Sequence, residues 1–227
     1  MDGKGKLQSW AQYLKETESA VRILFDGRHQ YLNLLNDIKP SVFIAPHSSE
    51  EGFCVEFKDW QERNKKAIRR ALRKEREYLG YQFSLATLCG SILQIAHMGI
   101  ALFSKNKSVP PELSSHIKKG SKPARFCIGE RIRGVPIGLV IYAGRNQYNH
   151  LGEPSLRSPN QQIFDILSTN HCIKGAKGIK DPAFDLRNKT VFSYASNIMS
   201  ILGWDSYETY ITCMKNLLSP RSKRRKG

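Results

Sequence analysis

PIGLVIYAGRNQYNHLGE, residues 136–153, is the stretch whose reading decides the fold class. Proline fixes φ near the helical value and lacks the N–H that a first turn leaves unpaired, so Pro136 suits the opening of a helix. Gly152 and then Pro154 supply a stop. Between them, Ile137, Leu139, Val140 and Ile141 make two turns that are apolar all round, a pattern of a buried helix. A polar cluster follows at once with Arg145, Asn146, Gln147, Asn149 and His150. Burying such groups without a use is costly, so the cluster points to a protected cleft or interface.

Outward from this helix the chain reads as further helices. Leu14, Val21, Leu24, Phe25, Leu32 and Leu35 recur at helical spacing and predict a helix from Leu7 to Ile38, with Gly27 as a dividing point. Pro40 to Gly52 reads as a loop. A helix starting near Glu56 and running through the basic stretch Arg63–Arg76 to Phe103 would be about 70 Å long at 1.5 Å per residue. A break is therefore expected near Gly80 or Gly90. Lys105–Arg125, with Pro110, Pro111, Gly120 and Pro123, reads as the longest loop. Strand character is confined to Arg125–Ile128 and Ile132–Val135. Short helices are expected at Gln161–Thr169 and from Lys189 to Leu218, the latter interrupted at Gly203 with Asp205 or Ser206 capping the restart. Trp204, Tyr207 and Tyr210 read as core. The expectation is an all-α bundle in a single domain over residues 1–219, followed by a disordered basic tail at 220–227.

Charge sets the class of partner. The 227 residues carry a net +16 and 40% hydrophobic residues, so a folded globule is expected that favours polyanions such as nucleic acid or an anionic membrane surface. The five cysteines, Cys54, Cys89, Cys127, Cys172 and Cys213, lack any CxxC spacing and read as buried free thiols of a reducing cytoplasm. No residues show metal-ligand spacing, and neither a metal nor a cofactor is expected. The start MDGKGKLQSW has no apolar signal region, which with the thiols predicts a cytoplasmic location. Leu79–Phe103 contains no Asp, Glu, Lys or Arg and is long enough to span a bilayer. Yet Gln82, Ser84, Thr87, Ser91, Gln94 and His97 form a polar stripe on it that lipid would penalise and that neighbouring helices can satisfy. The stretch reads as a central helix outside any membrane; a basic membrane-anchored protein is the alternative.

The polar cluster carries a definite chemistry. On a helix, Asn146 and His150 are four residues apart on one face, with Arg145 at its edge. Guanidinium binds phosphate through paired donors and stabilises the extra charge of a phosphodiester transition state. Imidazole exchanges a proton near neutral pH, and the amide can orient either partner. RNA brings its own nucleophile, the 2′-hydroxyl. Arg69, Arg70 and Arg73 in the basic stretch and Lys223, Arg224 and Arg225 in the tail are candidates for contact with the RNA backbone. His29, His47, His97, His116 and His171 show no informative spacing and receive no role.

RNQYNH resembles the motif of the HEPN superfamily (higher eukaryotes and prokaryotes nucleotide-binding): an Arg, four to six residues, then a His, with a polar residue favoured directly after the Arg. Asn146 fills that place. PIGLVIYAGRNQYNHLGE and the later YASNIMSILGWDSYETY are together similar to a HEPN branch of bacterial proteins, and the likeness extends from about Leu7 to Leu218. The resemblance implies a helical bundle that forms a homodimer with the motif helices facing each other, so that Arg145 and His150 of both chains line one cleft. It implies metal-independent endoribonuclease activity leaving a 2′,3′-cyclic phosphate and a 5′-hydroxyl. It also implies a setting of toxin–antitoxin or antiviral defence, with an antitoxin or other regulatory protein as partner. A HEPN module that binds nucleotides or RNA without turnover is the rival reading. In one HEPN subset a Tyr follows two residues after the His; Gly152 stands there, so nucleotide transfer onto that Tyr is not expected.

Overall fold

Apolar residues three and four apart make helix the dominant conformation, as their spacing predicts. The structure, a computed structural model, describes residues 9–36, 50–151, 153, 156–170 and 179–219. Helix α1 spans Trp10–Asn36, α2 Glu50–Arg63 and α3 Lys65–Phe103. A hairpin of β1 (Arg131–Ile132) and β2 (Val135–Pro136) leads into α4, Ile137–Asn149. Then come α5 (Asn160–Thr169), α6 (Ala195–Ile201) and α7 (Tyr207–Leu218). Among the described residues the protein is mostly helical with one two-stranded sheet, in keeping with the all-α class.

Several boundaries differ from the sequence expectation, each for a local reason. Gly27 does not divide α1, which is continuous through it. The loop expected over 40–52 gives way to helix at Glu50; residues 40–49 lie outside the described residues. The break expected at Gly80 or Gly90 falls at Asn64 instead. There the Asn64 side chain donates to Trp60 O at 2.9 Å, the carbonyl that also takes the Asn64 backbone N–H. A short amide that bonds its own backbone in this way competes with the helical ladder. Gly90 stays helical and has a packing role: a Cβ there would stand 2.5 Å from the Tyr148 ring.

The strand-like segment Arg125–Ile128 is not a strand, because residues 123–126 form a 3₁₀ turn that opens on Pro123. Ile132–Val135 is not one extended piece either. It folds back on itself, pairing Ile132 with Val135 and Arg131 with Pro136. Arg133 and Gly134 at the tip have φ of 50° and 88°, the double positive φ that matches the twist of a two-residue hairpin. Pro136 precedes α4 as its cap with φ −55° rather than occupying its first turn. α4 stops at Asn149, short of Gly152, because His150 leaves the helical conformation at φ −113° and ψ 32°. Residues 189–194 are not helical. Gln147 Oε1 of α4 accepts from Tyr194 N at 3.0 Å and fixes the chain just before α6. After Gly203 (φ 66°), Ser206 caps α7 by accepting from Thr209 N, while Thr209 Oγ1 accepts from Ser206 N.

Two compact units result. One comprises residues 1–26 and 86–227; the other is Gly27–Leu85. In the first, α4 is the core helix: Leu139, Val140, Ile141 and Ala143 have no exposed surface. Trp204 and Tyr210 are buried there, ring edge to face at 4.9 Å, as the core reading of these aromatics expects. The second holds α2 and the basic first half of α3, with the Tyr31 and Tyr81 rings 5.8 Å apart.

Glu77–Phe103 is long and apolar enough to cross a membrane by length and composition, and 56% of its apolar window is buried within the protein. The polar stripe is satisfied partly by the helix itself, since Ser84 and Ser91 donate to Gly80 O and Thr87 O. Of the described cysteines Cys89 is buried as expected, whereas Cys54 is exposed.

Candidate functional site

The apolar first half of α4 anchors its polar end. Gly144 lets α4 lie close to α6, where a Cβ would meet Ile198 at 2.9 Å. Arg145 therefore emerges from a fixed stretch of backbone and is half-buried. Its Nε donates to Gln94 Oε1 of α3 at 2.6 Å, and Nη1 to Asn146 Oδ1 at 3.0 Å. With the Asn149 amide turned so that its oxygen faces the guanidinium, that oxygen accepts from Nη2 at 2.9 Å and Nε at 3.1 Å. Every one of these partners is a neutral amide. Among the described residues no carboxylate pairs with Arg145, so its charge is positioned but not neutralised.

Asn146, 8% exposed, is part of this frame. Its Oδ1 accepts from Arg145 Nη1, and its Nδ2 donates to Asn160 Oδ1 at the start of α5, 3.1 Å away. Both ends of the amide are used, which suits a residue that orients the guanidinium. His150 lies elsewhere on the same helix end. As the cap of α4 it no longer continues the helical face, and its side chain is 46% exposed. Its Nδ1 lies 2.5 Å from Glu153 Oε1, an arrangement that leaves Nε2 turned away from the carboxylate. Arg145 and Asn146 are thus in direct contact, while among the described residues no hydrogen bond joins Arg145 to His150 within one chain.

Of the expected RNA contacts, Arg69, Arg70 and Arg73 are exposed on α3 within the second unit. Lys223, Arg224 and Arg225 lie outside the described residues. Among the described residues, no group of three His, Cys, Asp or Glu is placed to hold a metal ion.

Three residues of the site lie outside the motif, Gln94, His97 and Asn160, while Asn149 falls inside it at a position to which the motif gives no role. Gln94 and His97 come from α3, about fifty positions upstream, and only the polar stripe on that helix hinted that something must meet it. His97 is 5% exposed and stacks on Phe126 at 4.7 Å and Tyr142 at 5.8 Å. Among the described residues neither ring nitrogen has a hydrogen-bond partner. Burial first, and then the Arg145 and Lys122 charges, push its pKa down to about 4, so near neutral pH it adds no second cation beside Arg145.

No protein-family model matches this chain, and neither a curated protein nor a solved structure does.

Proposed function

We propose that this chain is a HEPN-type endoribonuclease, a helical bundle acting as a cytoplasmic homodimer that cuts RNA through its own 2′-hydroxyl. The observation that carries the reading is Arg145, a half-buried guanidinium fixed by three amides and paired with no described carboxylate. Neutral partners hold its geometry while leaving its charge for an anion, which is the requirement of a phosphate clamp. The RNxxxH pattern around it and the net +16 favour RNA over other phosphates.

The reaction needs a base for the 2′-hydroxyl and an acid for the departing 5′-oxygen. In the dimer, His150 of one chain takes the 2′-hydroxyl proton and the 2′-oxygen attacks phosphorus. The P–O5′ bond breaks, and the 5′-oxygen takes a proton from His150 of the other chain. A 2′,3′-cyclic phosphate and a 5′-hydroxyl remain. Glu153 holds Nδ1 of His150 so that Nε2 is the exchanging nitrogen. Toxin–antitoxin or antiviral defence, with a regulatory protein as partner, is the setting proposed with this activity. Sequencing RNA ends after induction of wild-type and His150→Ala protein tests it. Cyclic-phosphate ends that accumulate only with the wild type support the reading. RNA left whole by both favours a HEPN module that binds without turnover.

A further inference from the structure

We propose that the cleft beside His150 holds an uncharged nucleobase, that of the nucleoside next to the phosphate clamped at Arg145; its ligand identity rests on the ribonuclease reading. The cleft, about 780 Å³, is bounded by Gln147 and His150 at the end of α4, by Gln161 of α5 and by the segment 180–194. That size falls within the range of about 300–1,000 Å³ usual for small-ligand sites.

Its electrostatics select the class of ligand. Three acid–base pairs line it and close on themselves: Lys180 with Asp165 at 2.7 Å, Arg187 with Asp185 at 2.9 Å, and His150 with Glu153 at 2.5 Å. A phosphate entering here would compete with a carboxylate for Lys180 and Arg187. Lys189, exposed at the rim, is the one lining lysine without a carboxylate partner among the described residues, whereas Arg145 is held only by amides. A flat, uncharged ring suits the cleft better. Leu156, Leu186, Val191 and the half-exposed Phe192 give it apolar surface, and the paired charges and Gln161 give its edges donors and acceptors. His150, the proton-exchanging group of the proposed reaction, lines the cleft together with Gln147 of α4, so the nucleoside whose 2′-hydroxyl meets His150 has its base at the cleft.

The test uses the full chain with adenosine and uridine, which lack phosphate, and with inorganic phosphate, followed by saturation-transfer NMR. Nucleosides should bind the wild type and Arg145→Ala equally. Gln161→Trp, which fills the cleft from an exposed helix position, should weaken them about tenfold, and Phe192→Ala should also weaken them. Nucleosides that do not bind, or that bind both cleft variants as well as wild type, overturn the proposal, as does phosphate binding that is lost in Gln161→Trp. A short RNA with an abasic residue beside its cut site separates this idea from the ribonuclease reading. Cleavage with KM raised about tenfold supports the cleft. Cleavage with KM unchanged overturns the cleft and leaves the nuclease standing. Nucleoside binding in the cleft without any RNA cutting does the reverse.

Discussion

Two arginines of the same unit, Arg133 at the hairpin tip and Arg145 at the end of α4, meet opposite fates. Arg133 Nη1 donates to Asp181 Oδ2 at 2.7 Å and to Leu167 O at 2.6 Å, and the guanidinium lies over the Phe184 ring at 4.9 Å. Its charge is neutralised and its role is to tie the hairpin to the 181–184 turn. Arg145 is held as firmly, yet only by neutral oxygens. A net +16 does not distinguish the two. Pairing does: it gives Arg133 a structural role and is the ground on which anion recognition is proposed for Arg145.

The largest effect expected concerns His150, the proposed proton-transferring group. His150→Ala should lower the cleavage rate about two to four orders of magnitude while the far-ultraviolet circular dichroism stays that of wild type. Dimers that pair one wild-type chain with an Arg145→Ala, His150→Ala chain should fall well below half the wild-type rate. Retention of half would mean that each chain holds its own site.

Stability should show the opposite ranking of the two arginines. Asp181→Ala leaves Arg133 with a part-buried unpaired charge and should lower unfolding free energy by about 2–3 kcal/mol in denaturant melts. Arg145→Ala strips Asn146 and Gln94 of a donor but also removes a half-buried charge that no described carboxylate neutralises, so its loss should be smaller than that of Asp181→Ala. Equal losses would make Arg145 a structural residue and erase the contrast.

His97 adds a pH dependence. The unfolded chain binds a proton near 6.5, whereas the buried ring stays neutral until about 4. The unfolded state therefore holds more protons across that window. Stability contributed here is full above 6.5 and is lost as pH falls toward 4. Replacing the ring by Phe, which can keep the stacking on Phe126 and Tyr142, should flatten this part of the profile. A profile that is the same in His97→Phe would assign the acid loss to other groups.

The smallest effect is electrostatic. Removing residues from Arg221 onward should make the fall of log K with log salt shallower by about one unit per lost phosphate contact, and cleavage at low salt should persist. An unchanged slope would show that the tail does not touch RNA.

How much of this was legible in the sequence depends on how local the determinant is. α4 was readable because its apolar run and Pro136 are adjacent in the chain, and so were Ser206 as a cap and Trp204 and Tyr210 as core. The end of α4 was not, since His150 departs from helix one residue after the last helical position. Nor was the break at Asn64, where a side chain shares the Trp60 carbonyl while Gly90 is kept helical and packs against Tyr148. Arg145 and Asn146 were visible in the motif. Gln94 and His97 were not, because contact across fifty residues leaves no spacing to read. The α3 polar stripe was the one trace of them.

The chemistry of the RNA ends decides whether Arg145 clamps phosphate. Purified wild-type, Arg145→Ala and Arg133→Ala proteins, each confirmed folded, are incubated with a single-stranded RNA in excess EDTA and the ends of the products are identified. Wild type and Arg133→Ala should both yield 2′,3′-cyclic phosphate ends, with Arg145→Ala slower by about two orders of magnitude or more. Cleavage by Arg145→Ala at the wild-type rate, or cleavage by no variant at all, would contradict the account.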